Sequence, residues 1–395
     1  MCHLGRSEDT GEYMLSGSEG TYYSNKIKFC CDRHENRVIC ADSQMKANDC
    51  AGKGNFVIKL QHTLYITEPD LVLKKDGQTL RAVHSDGHSD HIPLHMLDQI
   101  VTYSGGSITP DVLGTCATAG VGFSSFSQCG RFQFRIVGAT TGNVLLRKRQ
   151  YSLTPLERQY LAEAELRGKI ASEANLLHRF GKNHMHIWQG ELREPEQNLQ
   201  ALAEQADYPK TDDALRGIEG RAAKIYFESW KHLVLSDDPT FQFSGRTRRP
   251  PLDCCNALMS YGYTILTGDF VQALEATGLD PQAGILHGDR PGKPALALDL
   301  MEPFRASITD QLVLRLINLK MLRENMFERR ADGGVYLNSD GRRVFLREWS
   351  QMRRKMVFVS NCGQHVPMGI LPHLQAMQLS RWLRGEDNYE LIRWE

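Results

Sequence analysis

Apolar and polar residues alternate with a period close to two from about residue 58 to residue 146, and with a period close to 3.6 from Leu153 onward. In the first stretch, 62–66, 71–75, 78–83, 91–97, 99–103, 121–126 and 131–137 predict short strands, and 143–146 closes the set. Asp76-Gly77 between two of them predicts a two-residue type I′ turn, whose central positions both need positive φ. Thr109-Pro110-Asp111 opens one short helix ending near Gly120, with proline at its first helical position. In the second stretch, Leu156, Tyr160, Leu161, Ala164 and Leu166 form one apolar stripe. Leu215, Ile218, Ala222, Ile225 and Tyr226 form another, and further helices are expected near 254–276, 299–329 and 372–384. Strands first and helices afterwards predict an α+β chain, with a small β-rich N-terminal domain over 57–150 and a larger all-helical domain over 151–395.

Residues 1–56 keep neither period and are rich in Gly, Ser, Asn, Lys and Asp, so they read as a poorly ordered or non-native extension. Five of the ten cysteines fall in this segment; Cys31, Cys40 and Cys50 with His34 have zinc-type side chains but lack the paired C-x2-C knuckle of structural zinc sites. Over 395 residues, 47 Lys plus Arg balance 47 Asp plus Glu, which excludes a histone-like polycation and an acidic disordered tail. No apolar run reaches the roughly 20 residues needed to span a bilayer. The start of the chain has no secretory pattern, and a cytoplasmic protein is expected.

Three clusters carry side chains capable of chemistry. His84, His88, Asp90 and His91 sit between strands among Gly and Ser, and read as a solvated turn. Around Glu219, Thr211 or Asp212 can cap a helix. The glycines Gly217 and Gly220, costly in a helix, point to something large approaching the backbone there, a nucleic acid or a neighbouring helix. The third cluster contains His287, Asp299 and Glu302. The two acids, three apart at a helix start, are expected on one face, where their mutual repulsion calls for a cation. An imidazole with carboxylates is a mixed N/O set suited to Mg²⁺ or Mn²⁺ with open positions for water and phosphate.

Arg216-Gly-Ile-Glu219-Gly, the segment from Arg249 through Asp253 and Asn256 to Tyr263, and the run from Gly284 through His287, Lys293 and Asp299 to Glu302 occur in this order. Together with Gly142-Asn-Val-Leu-Leu-Arg147, they resemble the CRISPR-associated spacer-acquisition integrase, the family numbered one among the Cas proteins, over residues 58–395. The resemblance implies a homodimer that acts on double-stranded DNA, protospacer and CRISPR repeat. It also implies a small ferredoxin-like second Cas adaptation subunit as partner, with room for a Cas-four-type nuclease. Carried over by position, the metal ligands would be Glu219, His287 and Glu302, with Asp299 an adjacent catalytic acid and Mg²⁺ or Mn²⁺ the cofactor. Cys254 and Cys255 before Asn256, and Pro303 after Glu302, depart from the usual pattern without removing a ligand. The expected reaction is insertion of captured DNA into the CRISPR array by transesterification, with endonuclease activity.

DNA requires cations, and residues 311–360 hold eleven Lys/Arg against five Asp/Glu. Arg246, Arg248 and Arg249 form a second basic group before Asn256, so Arg248, Arg249, Asn256, Lys293 and Arg305 are the expected DNA contacts. Two rival readings share parts of this pattern: a repair-type nuclease that cuts branched DNA without joining it, and a catalytically idle DNA-binding assembly subunit.

Overall fold

In the computed structural model, the described residues are 3–6, 13–16, 39–40, 63–66, 70–97, 99–102, 106–126, 132–136, 144–184, 190–206, 211–288 and 290–395. Residues 1–37 form a unit of their own, in which β1 (His3–Arg6) pairs antiparallel with β2 (Tyr13–Ser16). Apart from these strands and β3 (Ile39–Cys40), the N-terminal extension lies outside the described residues, as do Cys31, His34 and Cys50.

Within residues 38–395 the period-two region builds two sheets. Its strands are β4 (Thr63–Ile66), β5 (Val72–Asp76), β6 (Thr79–Val83), β7 (Ser89–Pro93), β8 (Gln99–Thr102), β9 (Ser107–Ile108), β10 (Gly122–Phe126) and β11 (Phe132–Ile136). One sheet runs β11-β10-β8-β4-β3 and the other β7-β6-β5-β9. The helix α1 (Pro110–Ala119) caps off at Gly120 in the left-handed region (φ 72°). Alternating residues such as Leu73, Leu80, Ala82, Ile100 and Phe123 meet Val112 and Cys116 of α1 in one apolar cluster.

Three local expectations change. The β5–β6 loop is Gly77-Gln78, since Asp76 already pairs with Thr79. Only the first loop residue has positive φ (60°), which makes a type II′ turn with glycine first. Residues 94–96, expected within a strand, form a 3-10 turn. The segment 143–146, expected as a strand, instead opens α2 (Val144–Tyr151): Leu-Leu-Arg-Lys-Arg-Gln are good helix formers, and Leu146 joins the helical core.

That core is built by α3 (Pro155–Asn183), α4 (Arg193–Gln205), α5 (Asp212–Leu233), α6 (Cys254–Ala276), α7 (Ala295–Phe304), α8 (Gln311–Asn318), α9 (Ser339–Arg354) and α10 (Leu371–Leu383). The Thr154 side chain accepts from the Glu157 N–H while the Glu157 carboxylate accepts from the Thr154 N–H, a capping box that fixes the start of α3. The stretch 299–329 is not one helix. Pro303 removes a backbone donor, and a π-helical segment, Arg305–Asp310, follows before α8 begins. Two hairpins interrupt the helical part, β12 (Phe327–Arg329) with β13 (Val335–Leu337) and β14 (Met356–Val359) with β15 (Gln364–Pro367). Among the described residues no helix is long and apolar enough to cross a membrane.

The C-terminal residues strap the site from behind. Trp394 stacks on Phe304 with ring centres 5.0 Å apart, and Leu391 lies where a side chain on Gly168 of α3 would have to go. Gly262 of α6 lets the π-helical segment approach: a Cβ there would stand 2.5 Å from Thr309 Cγ2 and 3.0 Å from Phe345 Cζ. Gly262→Ala should therefore destabilise the protein by about 1–3 kcal/mol despite alanine's better helix propensity. Urea unfolding checks this; an unchanged or raised midpoint would show that the approach is looser than described.

Candidate metal and nucleic-acid site

Three helices supply the charged residues. In α3, the buried face includes Glu165, Leu166, Lys169, Ile170, Glu173, Ala174 and Leu177, a regular core stripe with three ionisable residues set into it, of which Glu165 accepts from the Tyr389 hydroxyl. In α5, capped by Thr211 through its side chain, Leu215, Ile218 and Ala222 are buried and Glu219 stands at the edge of their face. In α7, Asp299 and Glu302 are both buried.

The Lys169 ammonium brings two of these helices' carboxylates together. Its Nζ lies 2.7 Å from Glu219 Oε1 and 3.1 Å from Glu302 Oε2. Burial works against the charged lysine, yet the carboxylates of Glu302, Glu173 and Glu219 hold its pKa above the ordinary value. Arg305 donates from one nitrogen to both Glu302 oxygens, at 2.6 and 2.7 Å. Burial pushes the Glu302 carboxyl up, but Arg305 and Lys169 outweigh it and hold it far below the usual carboxylate range.

Arg305 is in turn fixed by an aromatic layer. Its guanidinium lies 4.0 Å from the Tyr263 ring centre. Tyr263 and Tyr226 donate their hydroxyls to the two oxygens of buried Asp310, at 2.6 and 2.7 Å. Burial raises the Asp310 carboxyl despite these bonds. A cleft of about 230 Å³ opens over this layer, lined among others by Lys169, Glu173, Arg216, Glu219, Arg248 and Arg305. The Glu173 carboxyl is buried and pushed up to about 7, chiefly by desolvation, and its Oε2 has no hydrogen-bond partner.

Asp299 behaves differently from Glu302. Three backbone N–H groups donate to it, those of Ile285 (2.6 Å), Leu286 (3.1 Å) and His287 (3.0 Å). His287 Nδ1 adds a fourth bond at 2.5 Å. Since a carboxylate only accepts, Nδ1 carries the proton and Nε2 keeps its lone pair for a ligand. Gly284 is required for this wrap: a Cβ there would come within 2.4 Å of the His287 carbonyl and 2.7 Å of Ala295 Cβ.

Several expected roles change accordingly. Asp299 and Glu302 lie inside α7, which begins at Ala295, and they have different partners; one holds a loop, the other two basic side chains. Asp299 thus holds the 285–287 loop and the His287 imidazole in place. Among the described residues, no three His, Cys, Asp or Glu side chains are gathered closely enough to hold a metal. Glu219, His287 and Glu302 therefore do not form a closed ligand set: the two glutamates converge on Lys169, and His287 is held on Asp299.

The predicted DNA contacts also divide. Arg305 is occupied by Glu302. Asn256 is fully buried; its amide donates to the Gly245 carbonyl and to Asp253, and its oxygen accepts from Arg246 and the Thr247 N–H. It fastens the segment before α6. Arg248 and Arg249 are exposed, with Arg248 on the cleft, and Lys293 is half-buried in the loop before α7. Within 311–360, Arg315 and Arg347 pair with Glu348, Arg330 with Glu328, Arg343 with Asp340, and Arg353 with Asp269, so much of that basic charge is compensated. A Cβ on Gly217 or Gly220 would meet nothing within 4 Å, so no neighbouring helix of the described chain explains the open backbone beside Glu219. Among the turn residues, His84 and His88 both pair with Asp90.

The family model described as CRISPR associated protein Cas1 matches residues 64–351. A Rhodospirillum rubrum protein named CRISPR-associated endonuclease Cas1 2 is 37% identical over 349 residues, covering 85% of this chain and 99% of the relative. Among solved structures, a CAS1 protein from Thermotoga maritima superposes with a TM-score of 0.70 at 22% identity, covering 82% of this chain and 97% of that one. A casposase bound to integration product superposes with 0.72 at 21% identity, covering 84% and 93%. Both share the fold, β-rich first and helical afterwards, in agreement with the α+β expectation.

Asp299→Asn puts a donor among four donors, so the loop and the His287 tautomer should both be lost. Nucleic-acid cleavage or joining should fall about 10–100-fold. Gly284→Ala should reproduce the loss, and retention of full activity in either variant would remove the positioning role.

Proposed function

Because the chain belongs to the CRISPR-associated Cas1 family, we propose that it is a nuclease and integrase of CRISPR adaptation that inserts captured DNA into the CRISPR array. The observation that carries this reading is the convergence of Glu219 and Glu302, from helices far apart in sequence, on one cationic nitrogen in a cleft rimmed by arginines. Two carboxylates facing one positive charge are a donor pair suited to a hard divalent ion, and His287 offers Nε2 alone. Glu219 and Glu302 would hold Mg²⁺ or Mn²⁺, and His287 would have to close on them to complete the set, since the three are not gathered as they stand. When bound, such an ion lowers the pKa of an attacking hydroxyl and offsets charge on the phosphoryl oxygens.

The chain's own residues account for the remaining requirements. Asp299 fixes the imidazole, Arg305 and its tyrosine layer fix Glu302, and exposed Arg248 at the cleft takes a phosphate, with Arg249 and Lys293 as further contacts. In the reaction, the 3′ oxygen of captured DNA forms an ester bond to a repeat-boundary phosphorus while the existing 3′ oxygen–phosphorus bond breaks. The attacking hydroxyl's proton passes in net to the departing oxygen, so no energy-rich cofactor is consumed. As partners we propose a second copy of this chain, a small second Cas adaptation subunit and a Cas-four-type nuclease, the last two on the precedent of a solved Cas6-RT-Cas1–Cas2 complex of the same fold and a Geobacter sulfurreducens Cas4/Cas1 fusion.

Glu219 is the residue to test, because its side chain is about one-third exposed, whereas removing Glu302 would leave the buried Arg305 guanidinium without its carboxylate. Glu219→Gln should lower strand joining into a repeat-bearing duplex at least about 100-fold while the fold is kept. Full joining by this variant would remove Glu219 from the ligand set; neither cleavage nor joining by the unaltered protein would favour the idle-subunit reading, and cleavage without any joining the repair-type nuclease. DNA affinity should also fall steeply with salt as phosphate counterions are released, with Arg248→Ala reducing the log–log slope by about one; an unchanged slope excludes Arg248 as a contact.

A further inference from the structure

Lys169 has two sets of carboxylate neighbours. It now bridges Glu219 and Glu302, and it is nine-tenths buried in doing so. One helical turn further along α3 is Glu173, also buried, with an oxygen that lacks any hydrogen-bond partner. Residues four apart on a helix are neighbours, so a lysine can reach the carboxylate one turn on by rotating its own side chain. Glu173 and Glu219 line the same cleft as the ammonium, so a side-chain rotation within it suffices for the movement. A divalent ion between Glu219 and Glu302 would compete with the ammonium for the same oxygens, and two cations cannot both occupy the gap.

We propose that Lys169 is a built-in counter-ion that occupies the metal's place between Glu219 and Glu302 and is displaced onto Glu173 when a divalent cation binds. This rests on the reading that the two glutamates are metal ligands. The device keeps the buried carboxylates compensated when no metal is present, and Glu173 offers the displaced charge a partner instead of leaving it unpaired. Lys169 thereby sets metal affinity without being a ligand, and Glu173 does so by receiving Lys169.

Mn²⁺ binding, followed by calorimetry on the full chain without DNA, tests this apart from activity. Lys169→Gln should bind Mn²⁺ about tenfold more tightly than the unaltered protein, and its metal-free form should melt at a lower temperature. Glu173→Gln should bind Mn²⁺ several-fold more weakly, and in the Lys169→Gln background the same change should have no effect. Unchanged or weaker binding by Lys169→Gln would overturn the proposal, as would an equal effect of Glu173→Gln in both backgrounds. If Lys169→Gln does not fold, an unchanged Mn²⁺ affinity in Glu173→Gln would still overturn it. Absence of Mn²⁺ binding by the unaltered protein and by Lys169→Gln alike would instead remove the metal reading itself, and this proposal with it.

Discussion

The site depends on one ammonium held between two carboxylates. Lys169 comes from α3, Glu219 from α5 and Glu302 from α7, and these helices are joined at that point by charge as well as by apolar packing. Without the lysine, the two glutamates would face each other in a partly dry cleft, where their repulsion is stronger than in water. Arg305 shares the task from the other side of Glu302, and its own position is set by Tyr263, Tyr226 and Asp310. The arrangement is a stack of compensated charges, each buried group held by the next.

The helix α7 separates two jobs between acids three residues apart. Asp299 looks back to the 284–287 loop and organises an imidazole; Glu302 looks toward α3 and the cleft. Gly284 permits the tight wrap, while Pro303 and the π-helical turn after it place Arg305 over the Tyr263 ring and Asp310 at its hydroxyl. The C-terminal strap, with Trp394 on Phe304 and Leu391 against Gly168, supports both α7 and the turn of α3 that bears Lys169.

Much of this was legible in the sequence, and the exceptions have identifiable causes. The change of period at Leu153, the cap at Thr154 and the glycine stop at Gly120 are local signals, and local hydrogen bonding decides them. The motif residues Glu219, His287, Asp299 and Glu302 could be named in advance, but their division of labour could not, because it depends on which partner each carboxylate meets across the fold. Asn256 looked like a surface contact and is a buried fastener, since Asp253, Gly245 and Arg246 satisfy it from the chain itself. Lys169 and Glu173 carry no motif, but a signal exists: with Glu165 they are ionisable residues set into the apolar stripe of α3, where a core position costs a charge dearly unless it is paired. Residues 143–146 misled because a short Leu-rich run fits either period.

The most direct test of the charge exchange at the centre of the site is a crystal structure of the protein grown with Mn²⁺, read from the metal's anomalous scattering. The expected result is a single strong peak between the Glu219 and Glu302 carboxylates, with the Lys169 ammonium moved onto Glu173. A peak elsewhere, or Lys169 still bridging the two glutamates with the metal bound, would contradict it.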